Sequence, residues 1–241
     1  MCGEAAMTNE KESMSGVFSE YGEIRKPTYK EQAYRLIREA ILYQKLVPDR
    51  IYSQEAICQE LGVSRTPVRE ALLELQNEGY IVFCRGKGIQ IVKLDDKSIH
   101  DILEMRLHLE ITSAQLAAMR ADERDLEHIR TCLQEGFDNL KDKDKPKDFA
   151  HSYRLDHQFH RAVAQASHNE LLFTTLSSVL DLYLRFEVQT VYNNESFANA
   201  IMDEHRAIYE AVAQHDQMKA AFCAQTHLQD AYGRTLSKYW N

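Results

Sequence analysis

The sequence has little glycine and less proline: nine and four residues, respectively, in 241. Three of the four prolines precede residue 70, so the C-terminal half is almost free of helix breakers and a mostly helical protein is expected. No apolar run approaches the roughly 18 residues of a membrane helix, which points to a soluble chain. Residues Met1 to Lys26 contain no apolar h-region and do not read as a secretory signal. The five cysteines, at 2, 58, 84, 132 and 223, form no CxxC pair. That pattern argues against a disulfide framework or a cysteine zinc site and fits a reducing cytoplasm. Basic charge is short as well, with 29 Lys and Arg against 37 Asp and Glu and a net of -8. Taken whole, this balance opposes a nucleic-acid binder, whose domain should be basic.

The balance changes when the chain is divided. Residues 1–23 hold one Lys and five Glu, a net of -4, in a polar stretch without apolar periodicity. A disordered tail, 1–26, is expected there. Residues 24–93 hold twelve basic and eight acidic residues, a net of +4. Residues 94–241 hold sixteen basic and twenty-four acidic residues, a net of -8. The hydrophobic fraction of 44% suffices for two ordinary cores. The expected order is therefore tail, basic domain over 27–93, linker at 94–97, and acidic helical domain over 98–241.

In the basic segment, Ala33, Leu36, Ile37, Ala40 and Ile41 follow helical spacing between Tyr29 and Leu46. Ser53 is placed to cap a second short helix with Ile57 and Leu61 on its buried side. Gly62 supplies a turn. Thr66-Pro67 then reads as N-cap and first position of a third helix, which buries Val68, Ala71, Leu72 and Leu75. Two short helices joined by a tight turn form a helix-turn-helix. After Gly79 the period shortens to that of strands, Tyr80 to Phe83 and Ile89 to Val92, around Arg85-Gly86-Lys87-Gly88. The unit reads as a winged helix-turn-helix. Arg65 and Arg69 stand one turn apart at the start of the third helix, where arginine forks suit guanine edges. Ser64 and Thr66 suit phosphate. Arg85 and Lys87 on the wing suit the flanking backbone, with Gly86 and Gly88 permitting close approach. The plainer alternative is a small helical packing domain with a solvated basic face.

Residues 61–75, LGVSRTPVREALLEL, with NEGYI and RGKG after them, resemble the signature of GntR-family transcription regulators. The resemblance covers about residues 28–93 and implies Arg65, Thr66, Arg69 and the wing glycines as DNA contacts. One departure is Glu55, where many members carry an arginine nearby.

The acidic segment carries helical patterns at about 97–120, 123–141, 147–167, 169–192, 197–215 and 217–238, an all-α bundle of six or seven helices. The Lys-Asp-Lys-Asp-Lys-Pro run at 141–146 reads as a solvated loop. On the third pattern one face runs Phe149, Tyr153, Asp156, His160, Val163, so Asp156 and His160 project together at i, i+4. His205 lies between Ile201 and Ile208, and His227 lies among Cys223, Ala224 and Ala231. Buried polar groups are costly unless paired, so three helices bringing such groups inward imply a shared partner. One carboxylate and three imidazoles suit zinc, nickel or a similar divalent ion. Alternatively, each histidine is a separately satisfied core residue. His108, His128, His151, His157, His168 and His215 read as surface or helix-end groups.

The run LDHQFHRAVAQASHNELL, then DEHRAIYEAV, then the late His227, resembles the ligand-sensing domain of the FadR-like (FCD) branch of GntR regulators. That resemblance implies a metal held by Asp156, His160, His205 and His227, and small carboxylates bound at the metal with help from Arg106. Arg106 also has a simple alternative, an i, i+4 ion pair with Glu110. Arg185, Tyr183 and Tyr192 are further candidates for the same pocket. The resemblance implies a cytoplasmic homodimer that reads a palindromic operator as a repressor, with operator affinity controlled by an organic acid. Two alternatives stay open: a metal-dependent hydrolase, with His157 or Glu204 as its only nearby base, and a constitutive repressor with a structural metal.

Overall fold

A computed structural model describes residues 27–141, 149–190 and 197–239. The expected disordered tail, most of the 141–146 loop, and Tyr192 lie outside the described residues. The fold is mostly α, as expected, with one small sheet near the N-terminus.

Helix α1, Tyr29–Leu42, opens on a capping box: Thr28 Oγ1 accepts from Glu31 N at 3.2 Å, and Glu31 Oε2 accepts from Thr28 N at 2.7 Å. It stops at Leu42, short of the expected Leu46, because Gln44 turns into the left-handed region at φ 53°. Strand β1, Ile51–Tyr52, follows, then α2, Gln54–Leu61, capped by Ser53 as expected. Gly62 ends α2 at φ 66°, a conformation that costs most side chains and little for glycine. Helix α3 is Arg65–Asn77, and its N-cap position is Ser64, not Thr66. Pro67 fits at the third helical position because first-turn N–H groups have no acceptor within the helix.

Strands β2, Ile81–Cys84, and β3, Gly88–Ile91, make the expected hairpin. The sheet has a third member, since β1 pairs antiparallel with β3, giving the order β1-β3-β2. Two residues offer too little periodicity for β1 to be read from sequence. Val68, Ala71, Leu72 and Leu75 of α3 pack with Ile37 and Ile41 of α1 and with Ile81, Ile89 and Ile91 of the sheet, forming one core.

Six helices complete the described residues: α4, Asp96–Arg120; α5, Glu123–Lys141; α6, Phe149–Ala166; α7, Glu170–Thr190; α8, Ala198–Ala213; and α9, Gln217–Tyr239. Asp95 caps α4 by accepting from Ser98 N at 2.8 Å. Helix α4 is the spine of this bundle and packs on α6, α7, α8 and α9. Its small residues Ala114, Ala117 and Ala118 allow close approach by Phe159 and Val163 of α6, Ile208 and Val212 of α8, and Ala220 and Ala224 of α9. The bundle also touches the N-terminal unit, because Leu184 of α7 is buried in the core of the winged helix. Among the described residues, no helix is long and apolar enough to cross a membrane.

Candidate functional site

Two regions carry chemistry. The first is the exposed edge of the winged helix. Ser64, Arg65, Thr66 and Arg69 are all exposed at the start of α3, and Arg85, Gly86 and Lys87 are exposed at the wing tip. Val68, between the two arginines, is fully buried, so the core fixes which face of α3 is turned outward. Arg65 Nη2 lies 3.3 Å from Glu55 Oε1 on α2. The residue that departs from the signature therefore pairs with one of the expected DNA contacts. Gly88 is only half-buried and has an internal reason to be glycine. A Cβ there would lie 2.1 Å from the Tyr52 carbonyl oxygen of β1.

The second region is deep in the helical bundle. His160 of α6, His205 of α8 and His227 of α9 are buried, and one nitrogen from each ring lies within 4.8 Å of the others. Asp156 stands one turn before His160. Its Oδ2 is 3.7 Å from His160 Nε2 and its Oδ1 is 3.5 Å from His205 Nε2. All four residues expected from the sequence thus share one centre.

The surroundings fix the rings. His160 Nδ1 donates to Glu110 Oε2, and His227 Nδ1 donates to Glu204 Oε2 at 2.7 Å. Both rings therefore offer Nε2 as a lone pair, the arrangement in which a carboxylate orients a ligating imidazole. Phe159 stacks on His205 with ring centroids 4.3 Å apart. His205 Nδ1 and Nε2 and His227 Nε2 are buried without a hydrogen-bond partner. Burial, then the neighbouring histidines, push the His205 imidazole well below its ordinary value. Burial likewise lowers His227, against the opposing effect of Glu204. Neutral imidazoles with unused lone pairs are what a divalent cation needs, and they are costly without one. The donor set fits a metal.

Arg106 of α4 closes the ring. It is buried, its Nε donates to Glu110 Oε1, and its Nη2 donates to His160 Nε2 at 3.1 Å. Burial alone would raise the Glu110 carboxyl, but Arg106 and His160 hold it below the usual carboxylate range. The ion pair and the place beside the histidines are thus both present.

Comparison with known proteins decides the family. Residues 29–91 match the model described as bacterial regulatory proteins, gntR family, and residues 101–230 match the FCD domain. The chain belongs to the GntR family. The Glc operon transcriptional activator of Escherichia coli K12 is similar at 29% identity over 226 residues, covering 86% of this chain and 85% of its own. The LutR regulator of Bacillus subtilis 168 is 29% identical, covering 75% of this chain and 88% of its own. The putative L-lactate dehydrogenase operon regulatory protein of Escherichia coli K12 is 29% identical, covering 74% and 75%. The fold is shared with Escherichia coli McbR/YncC at a TM-score of 0.76 and 16% identity, covering 89% of this chain and 100% of that one. The protein is a DNA-binding transcription regulator of GntR type and not an enzyme.

The remaining residues of this GntR regulator divide clearly. His157, expected at the surface, is buried with its ring stacked against Tyr183, centroids 6.1 Å apart. Its stripe was misread because Tyr183 comes from α7, a separate element. Tyr183 also belongs beside the site, with the Arg106 guanidinium 4.3 Å from its ring centroid. Arg185 does not. It turns to the winged helix, donating from Nη2 to the Val92 carbonyl at 2.5 Å. Glu204, considered above only as a base, is a poor one. Burial raises its carboxyl, but bonds from His227 and Arg234 outweigh that and hold it at about 2. Glu110 and Glu204 orient the histidines. Their spacing from His205 and Arg106 offered the only sequence signal for this role.

Proposed function

We propose that this regulator reads a palindromic operator as a cytoplasmic homodimer and that a small carboxylate, bound at a metal centre in the FCD domain, sets its operator affinity. In this reading the DNA-binding domain spans 27–93, a linker 94–97, and the effector and dimerisation domain 98–241. Arg65 and Arg69 read base edges, Ser64 and Thr66 hold phosphate, and Arg85, Gly86, Lys87 and Gly88 form the wing contact. Asp156, His160, His205 and His227 hold a divalent ion, zinc or nickel, which supplies a Lewis-acid position for a carboxylate oxygen. The observation that carries the metal reading is the pair of buried imidazoles with unpartnered nitrogens.

Charge supports an anionic ligand. A divalent ion and Arg106 against Asp156 and Glu110 leave one net positive charge at the centre. Arg106 Nη2 already lies beside His160 Nε2, which puts a cationic donor at the edge of the same space. The hollow beside the ring is small and largely apolar, floored by Ala114, Phe159, Val163 and Ile208 with Ser113 and Glu110 at its edge. So small a hollow disfavours a bulky ligand. One relative is named for an L-lactate dehydrogenase operon, which makes L-lactate a reasonable first probe.

The test is an operator titration of zinc-loaded protein with and without acetate, L-lactate or citrate. At least one of these should shift operator affinity about fivefold or more, the lower end of typical coupling. Arg106→Ala should abolish that shift while retaining metal, whereas Arg69→Ala should lose specific operator binding without altering metal content. A wild-type affinity indifferent to every carboxylate would leave the metal a structural role.

A further inference from the structure

The seam between the two domains is built around one buried carboxylate. Asp181 of α7 is 4% exposed and has two guanidinium partners. Arg161 Nη2 donates to Asp181 Oδ1 at 2.6 Å, and Arg38 Nη2 pairs with Oδ2. Arg161 follows His160 directly on α6, while Arg38 belongs to α1 of the winged helix. A single side chain therefore joins the histidine centre's own helix, α7, and the DNA-binding domain.

One turn along α7, Arg185 completes the seam. It is buried, bonds the Val92 carbonyl between β3 and α4, and lies 4.8 Å over the Tyr80 ring. Arg38 lies 5.9 Å from the same ring centroid. Leu184 enters the winged-helix core between them. Tyr183 points to the opposite side of α7 and covers Arg106. Helical spacing thus gives α7 two faces, one on the effector site and one on the reading head.

The seam is also incompletely satisfied. Arg38 and Arg161 share the one carboxylate, Arg185 is held by the Val92 carbonyl instead, and Arg38 Nε with Arg185 Nε and Nη1 are buried without hydrogen-bond partners. Opening the seam would hydrate those groups, while closing it keeps the Asp181 ion pairs and the Leu184 contact. Opposed terms of this kind are what an element able to adopt two arrangements requires.

We infer that Asp181 is the latch between the domains, holding the winged helix against the effector domain through Arg38, and that α7 carries ligand occupancy from Arg106 and Tyr183 to this latch. The second half of this inference rests on the carboxylate-sensing function proposed above. The first half stands on the seam alone. Ligand contact can act on DNA affinity here only by favouring one arrangement of the seam over the other.

Hydrogen–deuterium exchange by mass spectrometry on the full chain tests it, comparing wild type with Asp181→Asn and Arg38→Gln. Both variants should exchange faster in α1 and in residues 92–95, with α8 and metal content unchanged. Arg161→Gln, which leaves the cross-domain bond intact, should change these segments less. Operator titrations with and without L-lactate, acetate and citrate supply the second readout. The wild-type affinity ratio should fall toward one in both variants, while calorimetric carboxylate binding to DNA-free protein stays within about twofold. Unchanged exchange at the seam in both variants would overturn the latch. Faster exchange with an undiminished carboxylate response would overturn α7 as the transmitter. A wild type that binds none of the three carboxylates would count against the sensing reading, and the latch would then be judged on exchange alone.

Discussion

Among the described residues, His205 is one of the least satisfied buried groups. It is 1% exposed, and neither ring nitrogen has a hydrogen-bond partner. His160 and His227 differ, since each spends its Nδ1 on a buried or half-buried carboxylate. Those carboxylates are therefore part of the centre even though they do not face its middle. Glu204→Gln should weaken metal affinity about 10- to 100-fold by releasing the His227 ring, a loss typical of such orienting groups. A zinc-competition titration measures it directly. An affinity unchanged within error would show that Arg234 and the helix packing hold His227 without Glu204. Arg106 bonds both Glu110 and His160, so its removal disturbs the ion pair and the histidine centre as well as the proposed anion anchor. For that reason metal retention is the necessary control for Arg106→Ala.

Helices were more legible in the sequence than strands, for a physical reason. The stripe Val68, Ala71, Leu72, Leu75 repeats over two turns and marks α3 strongly, and all four residues are fully buried. Strand β1 has only Ile51 and Tyr52 and no period to detect. Its presence explains Gly88, whose missing side chain admits the Tyr52 carbonyl to the sheet. Gly88→Val should consequently break the β1–β3 pairing and destabilise the wing. Thermal unfolding should show a lower Tm, and retention of the wild-type Tm would mean that Tyr52 moves aside freely. The start of α3 lies two positions before the expected one because Thr66-Pro67 is also a good N-terminal pair, and only the backbone distinguishes it from Ser64. The four residues around the histidine centre were recoverable because each breaks an apolar stripe. The seam residues Asp181 and Arg38, and the contact of Glu110 with His160, were not, since each depends on a partner from another helix.

At the scale of the whole chain, the acidic total conceals a division of labour. The net of -8 combines an acidic N-terminal stretch, a winged helix with a basic surplus and a long acidic bundle. A net-negative bundle disfavours DNA contact, consistent with the proposed approach through the exposed face of α3 and the wing. The histidine centre lies in the bundle and the exposed arginines lie on the winged helix, so in the proposed function the interdomain seam would carry the signal. The account stands or falls on the buried centre that begins the signal. Elemental analysis of the purified full chain, wild type beside His205→Ala, tests it most directly. The expected result is close to one divalent ion per wild-type chain, zinc or nickel, and far less in the variant. A wild-type protein free of metal and unable to take up added zinc would contradict the account, as would full occupancy in His205→Ala.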